Sequence, residues 1–285
     1  MFLKKNSKRL SMQNKSIKIL GVRIDIFTIE EINNLIINKA SEKFTKSTVI
    51  FKPYVEFLSL ASKNLDIKNL LNSSDINIAD SVAIQWSASY LYGTPKTHPD
   101  LLSAYYSLLF RMKSKKWRSQ IVPERMAGLD QTLPLLKLAN SKKLKIGIIG
   151  GPKDIEVTKK EITKRFKNLS VDIWSGYFSE SNEDEIVKDI SSSNLDILFC
   201  AMGFPKQEKF IINHRNELHS KVIIGEGGSF DYDQLGGGIK RAPVWMRKAG
   251  LEWLWRLILQ PKRIRRQLAI PSFISKIKKA KKSIK

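Results

Sequence analysis

The sequence predicts an α/β fold, and three observations carry that prediction. Short apolar runs such as TVIF (48–51), LKIGIIGG (144–151) and LDILFCAMG (195–203) have the length and β-branched content of buried strands. Segments of helical periodicity separate them, and strands alternating with helices of roughly 10–15 residues indicate parallel crossovers. Several runs end in glycines just ahead of a helix, as in a sheet whose carboxyl edge receives a ligand. The expected architecture is therefore a mostly parallel sheet flanked by helices, Rossmann-like in its layering, with a basic amphipathic appendage at the C-terminus.

The elements follow in order. Residues 17–27 (IKILGVRIDIF) alternate like a short strand pair, and Thr28 precedes the helix EEINNLIINKA as an N-cap with acids in its first turn. TVIF is a buried strand, followed by a helix from about Val55 to Lys63. DINIAD (75–80) is the next strand and closes on Asp80. The polar, Pro-containing stretch 93–123 reads as a long loop or lid around a helix. LKIGIIGG runs into a helix from Asp154 to Phe166. VDIWSGYF (171–178), LDILFCAMG and KVIIGEGG (221–228) are further strands, with helices near 182–192 and 206–217 between them. No repeat of fixed period is present. The chain divides into a basic tail (1–16), an α/β domain (17–246) and the appendage (247–285).

Charge narrows the function. The formal net charge is +23 and the pI about 10.0, which calls for a polyanionic partner. Before Asp25, and again after Glu252, every charged residue is Lys or Arg. In the second of these regions Trp253, Trp255, Leu257, Ile258 and Phe273 interleave with the charge, a pattern suited to an anionic lipid interface. A nucleic-acid module would share the charge, but no RRM, KH or helix-turn-helix signature accompanies it. The single Cys200 excludes a disulfide framework, and three His without metal-ligand spacing argue against a metal centre. No run reaches the roughly 18–20 apolar residues of a membrane span, and no signal peptide is expected. The expected location is cytoplasmic, peripheral on the inner membrane face.

Chemistry-bearing groups collect at the strand ends. Gly150 and Gly151 close one strand, and fit a tight turn as well as a phosphate cradle. Gly203-Phe204-Pro205-Lys206-Gln207-Glu208 and Gly225-Glu226-Gly227-Gly228-Ser229-Phe230-Asp231 close two more, and three such turns on neighbouring strands could line one nucleotide crevice. Asp80 has two readings: a general base facing that crevice, or the N-cap of a helix beginning near Ser81.

The order of DINIADSVAI, PERMAGLD, IGIIGGPKD, LDILFCAMGFPKQEKFI, VIIGEGGSFDY, IKRAPVWMRKAGLEWLWRL and QPKRIRRQL resembles the WecB/TagA/CpsF family of bacterial glycosyltransferases, over about residues 18–268. The resemblance implies transfer of a sugar, often N-acetylmannosamine or its uronic acid, from a UDP-sugar to an undecaprenyl-diphosphate-linked saccharide. It implies Asp80 as general base, followed by Ser81 where the family usually has Gly. Lys52 and Tyr54 stand where a Thr-x-Asn-x-Glu string lines the acceptor side, with Glu56 retained. Arg125, Gly128 and Asp130 match an Arg-x-x-Gly-x-Asp segment, with Gln131 in place of the usual Leu. Gln207, Glu208, Phe230 and Asp231 match nucleotide-side motifs, and Arg256, Arg263 and Arg266 match arginines over the diphosphate. If 252–266 were one helix, those three arginines would share a face, with Pro261 as a possible kink.

The resemblance also implies that no metal or other cofactor is required. Asp231-Tyr232-Asp233 looks like the metal-binding DxD of other glycosyltransferases, a match read here as coincidence because the stretch before Gly238-Ile239-Lys240-Arg241 is longer than usual. The expected function is an inverting UDP-sugar-dependent glycosyltransferase of cell-surface polysaccharide synthesis. The expected partners are the UDP-sugar, a lipid-linked saccharide acceptor and an anionic membrane surface, with no nucleic acid; a homo-oligomer stays open. The alternatives are a relative retuned to another UDP-sugar or acceptor, as for capsule or exopolysaccharide, and a non-catalytic basic lipid- or nucleic-acid-binding module.

Overall fold

The computed structural model describes residues 16–93, 115–152, 154–249, 252–261 and 264–284. A two-stranded hairpin comes first: β1 (Ser16–Ile19) and β2 (Val22–Asp25) pair antiparallel. Their two-residue turn puts both Leu20 and Gly21 at positive φ, the handedness that matches strand twist. Six strands then form one parallel sheet: β3 (Thr48–Phe51), β4 (Ile76–Asn77), β5 (Lys145–Gly150), β6 (Ser170–Trp174), β7 (Ile197–Ala201) and β8 (Val222–Gly225), in the order β4-β3-β8-β7-β5-β6. This is the expected α/β architecture.

Strand residues alternate between two apolar layers. Phe51, Ile149, Leu198 and Ile223 face one layer, while Ile50, Ile148, Phe199 and Ile224 face the other. Helices cover both faces, which is why these strands read as continuous apolar runs. The helix Ile29–Ser41 starts at Thr28 in a full capping box: Thr28 Oγ1 accepts from Glu31 N–H, and Glu31 Oε2 accepts from Thr28 N–H at 2.7 Å. Connections leave β5 toward β6 and β7 toward β8, in opposite directions along the sheet. That is a topological switch point, and it places a crevice outside the carboxyl ends of β5 and β7.

Three expectations change. The helices Leu65–Asn72 and Gly128–Ser141 are additional elements, and the second contains Pro134. The lid expected at 93–123 falls mostly outside the described residues; its last part holds the short helix Lys115–Arg118 with Trp117 buried. Residues 252–266 are not one helix: Glu252–Leu259 stops before Pro261, and a new helix runs Ile264–Ile284.

That last helix is docked on the body. Phe273, Ile274 and Ile277 are buried in the layer formed with the helices Val55–Ala61 and Val82–Tyr92. Lys276 Nζ donates to Ser59 O at 2.7 Å and Lys281 Nζ to Leu91 O at 2.6 Å, so a cation sits at the negative end of each supporting helix. Its first turns differ. Ile264 and Leu268 are exposed, and so are Ile258, Leu259, Val244 and Trp245.

Candidate active site

Three neighbouring strand ends each deliver a charged group. Register places Phe51 of β3 beside Asn77 of β4, and Ile50 beside Ile224 of β8. The residues just beyond the strands are therefore Lys52, the Ile78–Asp80 segment and Glu226, on adjoining sheet edges. Lys52 and Glu226 are both buried, and Lys52 Nζ donates to Glu226 Oε2 at 2.5 Å and to Gln131 Oε1 at 2.7 Å. Glu226 also accepts from Ser229 Oγ at 2.7 Å, Thr132 Oγ1 at 3.1 Å and Gly227 N–H at 3.2 Å. Gln131 is held from behind by Asn33, its Nε2 donating to Asn33 Oδ1 at 2.6 Å. Lys52, expected on the acceptor side, thus spends two of its three N–H groups inside the protein.

Asp80 is partly accessible at the head of this cluster. Burial of the carboxyl pushes it up from 3.8 to about 6; Lys52 opposes that rise, Glu226 adds to it, and Arg125 and the Gly128 N–H oppose it. The two sequence readings of Asp80 separate here. The helix Val82–Tyr92 is capped by Ser81, whose side chain accepts from Ile84 N–H at 3.4 Å. Asp80 is released from capping, and Ser81 has a structural reason to be Ser.

Arginines and carboxylates pair along the next stretch. Asp130 joins Arg125 at 3.8 Å and also pairs with Arg241, whose Nε lies 3.7 Å from Glu252 Oε1. Arg256 bonds Asp231 Oδ2 at 3.2 Å and stands 4.8 Å above the Tyr232 ring. The Nε–H groups of Arg241 and Arg256 are buried, with no hydrogen-bond acceptor among the described residues. Each guanidinium is also held by a carboxylate, Arg241 by Asp130 and Arg256 by Asp231. Arg263 and the side chain of Arg266 lie outside the described residues.

Over the switch point the glycines shape the floor. Gly150 and Gly151 both have positive φ, and the Gly151 N–H donates to Ala201 O at 2.9 Å. Gly203, also at positive φ, donates its N–H to Gln207 Oε1 at 3.1 Å. These two amides are engaged within the protein, and the positive φ explains why glycine stands at each position. Gln207 turns inward and donates to Glu208 Oε1 at 2.9 Å. Burial pushes the Glu208 carboxyl up from 4.5 to about 7, against the pull of the Gln207 hydrogen bond. Phe230, expected to line the site, lies wholly within the core, its ring edge-on to Phe199. Tyr54 sits at the start of the helix Val55–Ala61, edge-on to Phe57, which stacks on Phe204 at 3.7 Å. Asp231 and Asp233 do not converge with a third ligand: no group of three or more His, Cys, Asp or Glu able to hold a metal occurs among the described residues.

Of the expected site residues, the structure gathers Asp80, Lys52, Arg125 and Asp130 near the β4–β3–β8 edge, and ties Asp231 to Arg256. It adds Glu226, Gln131, Thr132, Ser229 and Arg241. Glu226 carried a signal, since it is a charged residue in a glycine-rich string.

The chain matches the family described as "Glycosyl transferase WecG/TagA/CpsF family" over residues 17–119 and 111–285. A Bacillus subtilis (strain 168) relative is 40% identical over 164 residues, which is 56% of this chain and 62% of that protein. That match spans less than two thirds of the relative's length. A Staphylococcus aureus (strain MRSA252) relative is 29% identical over 270 residues, 94% of either chain, and one from strain NCTC 8325 is 28% identical over the same length. All three are named N-acetylglucosaminyldiphosphoundecaprenol N-acetyl-beta-D-mannosaminyltransferase.

Proposed function

The chain belongs to the WecG/TagA/CpsF family of glycosyltransferases, and we propose that it moves N-acetylmannosamine from a UDP-sugar to N-acetylglucosaminyl-diphosphoundecaprenol in cell-surface polysaccharide synthesis. The relatives' names specify a β-linked product. From an α-linked nucleotide sugar, a β product requires one inversion, hence a single displacement with one base. In that step the acceptor hydroxyl oxygen bonds to C1 of the sugar as the bond from C1 to the diphosphate oxygen breaks. The electron pair leaves with UDP, and the hydroxyl proton passes to Asp80.

The observation that carries this reading is Asp80 itself. It is a strand-end carboxyl that does not cap its helix, remains partly accessible and titrates at about 6, close to neutrality. Arg256 and Arg241 support the leaving group's side, since each brings a guanidinium charge to the edge of the same segment, held there by Asp231 and Asp130. That donor set can take the charge of a departing diphosphate, so the reading includes no metal requirement.

Attachment to an anionic membrane from the cytoplasmic side completes the proposal. Val244, Trp245, Ile258, Leu259, Ile264 and Leu268 expose apolar surface in the most basic part of the chain. Among the described residues no helix is long and apolar enough to cross a membrane. The test is release of UDP from a panel of UDP-sugars, with and without a lipid-diphosphate N-acetylglucosamine acceptor. Acceptor-dependent release from UDP-N-acetylmannosamine supports the proposal. Release from a different UDP-sugar alone would retune the donor, and no release from any would retire the reading.

A further inference from the structure

A buried ion pair beside the base has no part in the chemistry so far. Lys52 and Glu226 come from strands that flank each other, 174 residues apart in sequence, and their contact is 2.5 Å with both side chains almost fully enclosed. The pair does not float free. A continuous hydrogen-bonded chain runs Asn33–Gln131–Lys52–Glu226, ending on Ser229 and Thr132, and every member is buried. So many partners fix the ammonium and the carboxylate in place, and removing either one would leave the other uncompensated. Stability alone is a weak reason to keep such a pair, because apolar residues of similar volume often serve equally well.

We propose that Lys52 and Glu226 are positioning residues for the reaction, a fixed ion pair on the strand ends adjoining Asp80 whose lysine favours the ionised form of that carboxylate beneath the acceptor hydroxyl. The proposal rests on Asp80 being the base. The groups that face Asp80 are Lys52 from the end of β3, Glu226 from the end of β8, and Arg125 and the Gly128 N–H from the segment entering the helix Gly128–Ser141. Lys52 exerts the larger influence of the pair, in the sense that favours the charged form, and Glu226 a smaller one in the opposite sense. Burial alone would hold the carboxyl protonated and useless as a base. Lys52 without Glu226 would favour the charged form further and weaken the base. The opposed pair leaves the base poised between these limits.

The experiment is the pH profile of kcat/KM for UDP release from UDP-N-acetylmannosamine with the lipid-diphosphate acceptor, in the full-length protein. The proposal expects the acid limb to move in opposite directions in two single variants. Lys52→Met should raise it by about one unit or more, so that activity near pH 6.5 falls to about a quarter of its value near pH 8.5 or less. Glu226→Gln should lower it by roughly half a unit to one unit. The double variant should fall between the two singles, its acid limb displaced upward by the excess of the Lys52 effect over the Glu226 effect. Lys52→Met strands a buried carboxylate and is the variant most prone to misfolding. Glu226→Gln leaves Lys52 bonded to Gln131 and decides the matter without it. Acid limbs that coincide in parent and Glu226→Gln would overturn the proposal, as would a uniform drop in kcat with no shift along the pH axis. Asp80→Asn, run alongside, separates the two ideas: parental rates there would retire the base itself, whereas an inactive Asp80→Asn with unmoved limbs retires only the role of the pair.

Discussion

Asp80→Asn should make the protein slower and more stable at once, because it removes a base and an unfavourable, poorly solvated charge together. The carboxyl is raised from 3.8 to about 6 in the folded chain. The folded state therefore binds this proton more tightly than the unfolded state does. The stability tied to that proton is fully present below about pH 4 and is lost as pH rises through about 6. Roughly two units of displacement correspond to about 3 kcal/mol of stability forgone at pH 7–8. Asn cannot ionise, and its side-chain oxygen still accepts the Gly128 N–H. The stability difference, variant minus parent, should thus grow from near zero at pH 4 to at most about 3 kcal/mol at pH 8, about 5 °C in Tm for a chain of this size. The figure is an upper bound, since the net displacement already includes the attraction of Lys52 and solvent reaches the partly accessible residue. Turnover should fall about 100-fold or more. Thermal melts at pH 4.5 and 8, with UDP release measured on the same preparations, test both halves. An equal Tm offset at the two pH values would refute the charged-base argument, and parental turnover would refute the base.

Three further outcomes follow from the same geometry. Transfer should persist in excess EDTA, because the proposed function gives the charge of the leaving diphosphate to arginines; loss on chelation with recovery in manganese would reassign Asp231 and Asp233 to a metal. Trp245→Glu combined with Leu268→Glu should abolish sedimentation with vesicles of anionic phospholipid and spare transfer to a water-soluble acceptor, since both side chains are exposed. Truncation before Ile264 should give insoluble or unfolded protein. It removes Phe273, Ile274 and Ile277 from the core, and the loss of three such side chains, at about 2–5 kcal/mol each, consumes the stability of an ordinary domain. A soluble, cooperatively melting truncated protein would contradict that account.

Sequence and structure part company where local pattern has two physical meanings. The strands were legible because both sheet faces are covered, which leaves uninterrupted runs such as ILFCA and VIIG. Asp80 was legible as a strand-end acid, but Asp and Ser are equally good caps, and only the hydrogen bond from Ile84 N–H to Ser81 assigns the role. The helix Gly128–Ser141 was hidden by Pro134; burial of Leu129, Leu135, Leu136 and Ala139 holds it together despite the missing donor. Glu226 read as part of a glycine-rich turn, because its partner Lys52 is remote in sequence. Phe230 shared a ligand-facing string with Asp231, yet one residue of rotation put it in the core. The appendage was legible as amphipathic, but an apolar stripe buries equally well in lipid or in protein. Residues from Phe273 onward chose protein.

The segment from Gly225 to Asp231 is what joins the two halves of the site. Glu226, at its start, is bound to Lys52 and through it to the surroundings of Asp80. Asp231, at its end, is bound to Arg256 on the helix Glu252–Leu259. Between them Ser229 returns to Glu226, and Phe230 anchors the strand of chain in the core, so the segment has little freedom to bend. A side chain at Gly228 would collide with the Asp231 carboxylate and come within 2.9 Å of Arg256 Nη2, which makes glycine there a condition of the Asp231–Arg256 contact. At Gly227 no such collision exists. The two glycines therefore have different reasons to be present, and the segment acts as a short rigid strut. On the proposed function, it fixes the distance between the base Asp80 and the guanidinium of Arg256. Fixed spacing between those two groups is what an in-line displacement requires.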